Sequence, residues 1–184
     1  MVSMYPNSQP MAYTVDNGVF TPCPPASNAG SSSCPPCNMK ECTALSLALK
    51  RLGFNKFSKI VEKSGLRHIE DEHGLTLFVP GDADLADEMM SDIDKHAAVN
   101  IVKASSMPRM IPLKVLGQRA LATYRSLHKI YKLKIVCDEK SVRVAIDTLD
   151  KNYSNMLKAD IKDAYNTSII VHQIDNLLKP DCML

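Results

Sequence analysis

Apolar residues recur at helical spacing in the segment that begins at residue 43. In residues 43–52, leucines and alanines alternate with polar residues in a pattern typical of a half-buried helix, and Gly53 is a common helix stop. Residues 55–64 repeat this pattern and are followed by Gly65. The spacing therefore predicts two consecutive amphipathic helices, each ended by a glycine.

A strand and a third helix are predicted next. Residues 75–79 form a short apolar run that Pro80 ends, because proline has no N–H for the strand ladder. Asp82 is a typical N-cap, so the sequence predicts a helix from there to about His96. Its buried stripe would consist of apolar residues four apart, Leu85, Met89 and Ile93.

The second half of the chain is dominated by strand patterns. Residues 133–137 and 142–146 alternate around a polar turn and predict a β-hairpin. Ile161 and the run 169–174 predict further strands, whereas 105–112, with its two prolines, predicts an irregular loop. Helices early and strands late indicate an α+β fold, a mixed sheet with helices packed on one side.

Residues 1–41 differ in composition from the rest of the chain. They are rich in Pro, Ser, Asn and Gly, and this segment could not bury enough apolar surface to offset the entropy of ordering it. We expect an extended arm at 1–41 that neighbouring chains order, a domain at 42–180 and a short tail at 181–184. The first residues lack the basic and apolar regions of a secretory signal, and no run reaches the roughly 18 apolar residues of a membrane span.

Positive charge is concentrated, although the net charge is only +2. No Asp or Glu occurs between Lys95 and Cys137, so this stretch could face an acidic protein, a phosphate-rich polymer or an anionic membrane surface. The alternative is a solvated face balanced by acids brought near in the fold. With no Trp and 5% aromatic residues, a stacking platform for single-stranded nucleic acid is not expected. The candidate contact residues are Lys114, Arg119, Arg125, Lys129, Lys132 and Lys134.

Four cysteines fall between residues 23 and 42, in the second half of the arm and at the first residue of the domain, and their spacing fits more than one chemistry. Cys34 and Cys37 are separated by two prolines, a spacing found in zinc knuckles and redox motifs, but no strand–helix junction accompanies it. A tetrahedral zinc site would require Cys23, Cys34, Cys37 and Cys42 to converge. Free thiols are the first interpretation, disulfides within or between arms the second, and zinc the third.

Other polar clusters have simpler explanations. The run from His68 to His73 contains metal-binding side chains but indicates a polar loop. The acids at 82–88 fit the first turn of a helix, where the dipole favours them, better than a calcium loop. His172 has no nucleophile paired with it in sequence, so a structural role is expected. We therefore predict no catalytic residue and no cofactor.

Two segments at a characteristic separation resemble the paired signatures of the fasciclin-like domain family. The early segment matches at Thr76, Phe78, Pro80 and Asp82. The late segment has Asn166 near its turn and matches at Asp160, Ile161, Val171, His172, Ile174, Asp175, Leu177, Leu178 and Pro180. The resemblance implies a wedge-shaped mixed sheet with helices on one side, and a binding or assembly module that is not an enzyme.

One departure from the family pattern bears on function. Adhesive members carry a Tyr-His pair where this chain has Val99-Asn100. We therefore expect a structural assembly protein, in its most concrete form a minor capsid or cement protein of a large DNA virus that binds neighbouring protein subunits inside the cell. The alternative is a secreted or cell-surface adhesion domain, for which Asn152 and Asn166 would be glycosylation acceptors.

Overall fold

The computed structural model describes residues 43–67, 69, 73–147 and 152–180, and the backbone of 13–16 and 19–22. The chain divides into two compact units, 1–37 and 38–184. In the first unit, β1 (Tyr13–Asp16) pairs antiparallel with β2 (Val19–Pro22). The sequence did not predict this pair, and the rest of the predicted arm lies outside the described residues.

The second unit begins with the two predicted helices, α1 (Ala44–Arg51) and α2 (Asn55–Ser64). Thr43 accepts a hydrogen bond from the Ser46 amide, and the Ser46 hydroxyl accepts one from the Thr43 amide, so a capping box begins α1. Gly65 ends α2 at φ +69°, a left-handed conformation that favours glycine. Both helices are confirmed with nearly the predicted bounds.

The predicted single helix from Asp82 to His96 is wrong. The structure has a 3₁₀ turn (Asp82–Asp84), then α3 (Asp87–Asp92) and α4 (Lys95–Ala104). The spacing of Leu85 and Ile93 imitates a helix, yet both are buried from non-helical positions that flank α3.

Asp82 does act as a helix cap, but on a different helix. Its carboxylate accepts hydrogen bonds from the backbone amides of Asn55 (3.1 Å) and Lys56 (2.9 Å), at the start of α2. Phe54 occupies the N-cap position there and makes no side-chain cap hydrogen bond. The first backbone amides of α2 are therefore left to an acceptor that is distant in sequence. The predicted cap of the following helix is corrected accordingly.

The strands of the second unit are β3 (Leu75–Pro80), β4 (Ser106–Met107), β5 (Leu121–Arg125), β6 (Lys132–Cys137), β7 (Val142–Ile146), β8 (Ser154–Lys162) and β9 (Ile169–Ile174). These seven strands form a mixed sheet in the order β4-β3-β9-β8-β7-β6-β5. The β3–β9 pair is parallel and every other neighbouring pair is antiparallel. The predicted hairpin β6–β7 and the late strands β8 and β9 are confirmed, whereas β4, β5 and the short helix α5 (Leu113–Leu116) were not predicted.

The two faces of β3 and β9 pack into different cores. Leu77 and Val171 face the helices α1, α2 and α4, whereas Phe78 and Ile174 face a second core with Leu133 of β6. Helices α1, α2 and α4 thus lie on one side of the sheet, whereas Leu116 of the short α5 belongs to the second core. The predicted α+β class is confirmed. The sheet curls so far that the chain just after β5 meets the opposite edge strand β4, where the Leu127 amide donates to the Ser106 carbonyl at 2.8 Å.

Candidate interaction surface

Three of the predicted basic residues lie on one face of the β5–β6 pair. Arg125 is directly opposite Lys132, and Lys134 is opposite Thr123. Because side chains alternate along a strand, these three cations share the outer face, while Leu133 and its alternate neighbours enter the core. Directly opposed and diagonal strand neighbours lie close enough to act on one ligand.

The remaining basic residues flank that pair. Lys129 lies in the connection between β5 and β6, and Arg119 precedes β5 by two residues; both are exposed. Lys114 is also exposed but lies on α5, so it is left out of the surface defined next. We call the remaining five the basic hairpin: Arg119, Arg125, Lys129, Lys132 and Lys134.

A hollow of about 530 Å³ opens beside the basic hairpin, lined by 125–129, 131 and 132. Arg125, Lys129 and Lys132 bring three cations to it. Burial lowers the pKa of His128, and the charge of Lys103 lowers it further. At neutral pH the hollow therefore holds lysine and arginine charge beside a neutral imidazole, which contacts the Tyr131 ring at 4.6 Å between centroids.

The cations of the basic hairpin have no carboxylate partner among the described residues. The ion pairs within the described residues join other side chains, such as Lys50 with Glu62 and Arg143 with Asp138. Positive charge that is not neutralised within the fold can attract an anionic ligand. One acid does lie beside this face: the Asp147 amide donates to the Lys132 carbonyl at 2.8 Å, which places Asp147 directly across from Lys132.

Signature residues Thr76 and His172 hold the loop that precedes α5. The Thr76 hydroxyl donates to the Arg109 carbonyl (2.7 Å) and accepts from the Ile111 amide (2.8 Å). His172 is fully buried, with Nε2 3.0 Å from the Ile111 carbonyl and Nδ1 accepting from the Asp160 amide at 3.3 Å. These partners assign the neutral tautomer with the proton on Nε2.

The other signature residues also make contacts within the fold. The His172 ring stacks on Phe78, with 5.4 Å between centroids. Asp160, at φ +55°, accepts from the Leu113 amide at 2.9 Å. Asp175 accepts from the backbone amide of Asn155 at 2.8 Å and from its side chain at 2.6 Å. Pro80 and Pro180 are buried.

The cysteine and metal candidates gain no site in the described part of the chain. Cys23, Cys34, Cys37 and Cys42 lie outside the described residues, as does His68. Cys137 is a half-buried free thiol whose pKa is raised by burial and by the charge of Asp138. Among described residues, no three His, Cys, Asp or Glu side chains converge as metal ligands would.

Comparison with known proteins gives one informative match. A family model described as a fasciclin domain matches residues 52–180, a range that includes the signature residues and the whole basic hairpin. No curated protein gave a match. Among the described helices, none is both long enough and apolar enough to cross a bilayer.

Proposed function

The chain belongs to the fasciclin domain family, and on that premise we propose that it is a non-enzymatic protein-binding module whose basic hairpin holds an acidic partner. Domains of this family serve protein interaction or adhesion and are typically non-catalytic. The observation that supports the choice of surface is the group of five cations without a described carboxylate partner.

The charge arrangement favours an extended acidic partner over a single small anion. Arg125 and Lys132 are opposed across two strands, and Lys134 follows Lys132 on the same face. Cations spaced in this way suit several carboxylates along one chain, each weakly paired near the surface. Such contacts accelerate encounter and add specificity, and they weaken as salt screens them.

Removing two cations from the basic hairpin should weaken binding of a fluorescein-labelled polyglutamate peptide. We expect the double variant Arg125→Gln/Lys132→Gln to lose about tenfold in affinity at low salt, which corresponds to roughly 1.4 kcal/mol. Fluorescence anisotropy with the full chain would measure it. The charge-matched control Lys59→Gln/Lys63→Gln, on exposed positions of α2, should bind as the wild type does. Equal losses in both variants would contradict the choice of surface.

A more specific version of this proposal is that the chain is a structural subunit of an assembly, such as a minor capsid or cement protein of a large DNA virus. The composition of residues 1–41 supports an arm that binds neighbouring subunits. Deleting 1–41 should leave the domain 42–180 folded and abolish any association of the full chain. Light scattering with circular dichroism would measure both, and unchanged association would oppose this form of the proposal.

The second candidate is a secreted or cell-surface adhesion domain, since fasciclin domains are commonly extracellular. Asn152 is exposed and Asn166 partly exposed, so both acceptor sequences are accessible to a glycosyltransferase. Against this candidate, Val99 and Asn100 of α4 stand where adhesive members carry a Tyr-His pair, and Asn100 is buried. The intact mass of protein from its native source decides: added glycan mass would favour adhesion, and an unmodified mass would favour assembly.

A further inference from the structure

Strand β5 has an open backbone edge. It is the last strand of the sheet, with β6 as its only strand partner among the described residues. The Cys137 amide donates to the Ala120 carbonyl at 2.9 Å, and hydrogen-bonded pairs alternate along an antiparallel ladder. Ala122 and Tyr124 therefore bond to β6, while the backbone groups of Leu121, Thr123 and Arg125 point away from the sheet.

Nothing in the described part of the chain occupies these outward groups. Just beyond β5 the next outward amide, that of Leu127, donates to the Ser106 carbonyl of β4 at 2.8 Å. The open edge is therefore limited to β5 itself, Leu121–Arg125. The side chains of Leu121, Thr123 and Arg125 are exposed, and Leu121 keeps 55% of its surface accessible. An edge of this kind is a template for pairing with another strand.

The two faces beside this edge differ in chemistry. On the outer face lie Arg125 and, across the ladder, Lys132 and Lys134. On the inner side of this edge a hollow of about 310 Å³ runs beside Ala122, Thr123 and Tyr124. Its far side is formed by Val115, Gln118 and Arg119, and Val115 is an exposed apolar residue.

We propose that β5 accepts an extended segment of a partner protein as an additional strand, and that acidic and apolar residues alternate along this segment. Because side chains of an added strand alternate between faces, its acids would lie beside Arg125, with Lys132 and Lys134 one strand further away. Its apolar side chains would enter the inner hollow. This inference rests on the proposed function and specifies its partner. A second copy of β5 fits poorly, because its outer-face residues Leu121, Thr123 and Arg125 would bring another cation and no acid to this face.

The first test is calorimetric titration of the full chain with a capped peptide of alternating Glu and Val residues. A peptide of alternating Lys and Val is the matched control, with the same strand propensity and reversed charge. We expect the Glu–Val peptide to bind at least about tenfold more tightly, since like charges placed directly opposite are unfavourable. Equal binding of both peptides would overturn the inference, and so would binding of anionic phosphatidylserine vesicles in place of the Glu–Val peptide.

Thr123→Pro tests whether the backbone edge itself is used. The Thr123 amide points outward, so proline removes a donor to the partner and no bond of the existing ladder. We expect about a tenfold loss of Glu–Val peptide affinity, while Thr123→Val should bind as the wild type does. Should the proline variant fail to fold, a Glu–Val peptide N-methylated at alternate residues gives the same information with the wild-type chain.

The outcomes separate this inference from the proposed function. If Arg125→Gln/Lys132→Gln weakens binding while Thr123→Pro and N-methylation have no effect, the basic hairpin binds acids through side chains alone. The strand addition is then wrong and the proposed function stands. If neither the Glu–Val peptide nor polyglutamate binds the wild type, both fall together.

Discussion

Replacing His172 by alanine is expected to lower the free energy of unfolding by about 3 kcal/mol. The imidazole is fully buried, stacks on Phe78 and bonds through both ring nitrogens. Alanine would leave a cavity, and the Ile111 carbonyl and the Asp160 amide would lose their partner. Urea denaturation of the full chain, monitored by circular dichroism, measures the loss.

His172→Gln is the matched variant, because a glutamine amide can still donate to the Ile111 carbonyl while it loses the stacking on Phe78. We expect it to recover roughly 1 kcal/mol of the loss, the net value of one hydrogen bond. A chain with His172→Ala that unfolds at the wild-type urea concentration would contradict the structural role of this residue.

The pH dependence of this effect has a defined sign. Burial lowers the pKa of His172, so the folded chain holds this proton less tightly than the unfolded chain. The stabilisation is complete above the unfolded pKa of roughly 6.5 and is lost as the pH falls toward the lowered folded value. The pKa of His128 is lowered in the same direction. The difference between wild type and His172→Ala therefore isolates the contribution of His172.

Arg51→Ala is expected to cost about 2 kcal/mol, a value discounted because the Arg51 side chain is 40% exposed. Its Nε lies 3.1 Å from each oxygen of Asp163, which is 4% exposed, and Nη2 completes the ion pair. The guanidinium also lies over the Tyr165 ring, 5.3 Å from its centroid. Removing Arg51 leaves a buried carboxylate with its backbone donors alone, so α1 loses its connection to the turn after β8.

The control is the neighbouring pair of Lys50 and Glu62, where the side chains are 39% and 22% exposed. Lys50→Ala should cost only about 0.5 kcal/mol, as surface pairs do. The hydrogen bond from Arg51 lowers the pKa of Asp163. The stabilisation by the Arg51–Asp163 pair is therefore present above the unfolded pKa of roughly 3.9. It is lost as the pH falls through the lowered folded pKa. Equal losses of unfolding free energy in Lys50→Ala and Arg51→Ala would contradict the larger contribution expected from the pair with the buried Asp163.

Elements with local signals could be predicted from the sequence. The helices α1 and α2 have regular apolar faces and glycine stops, and the β6–β7 hairpin alternates around a polar turn. Strand β5 was missed because its residues are mostly polar or half-exposed, so no buried alternation marks it. The break between α3 and α4 was missed because the spacing of Leu85 and Ile93 imitates one helix.

Contacts between distant segments could not be read from local patterns. Asp82 caps a helix that begins 27 residues earlier, and Arg51 meets Asp163 across 112 residues of sequence. The charge of the basic hairpin was visible as a stretch without acids. The placement of these cations on one face depends on the pairing of Arg125 with Lys132. The alternation of lysine and apolar residues in β6 was the sequence signal for that placement.

Hydrogen–deuterium exchange of the full chain, with and without the Glu–Val peptide, tests most directly whether the basic hairpin is the binding surface. The account predicts that saturating peptide slows exchange within residues 121–134, most strongly at the amides of Leu121, Thr123 and Arg125. Slower exchange on α1 and α2 with no change at β5 would contradict it.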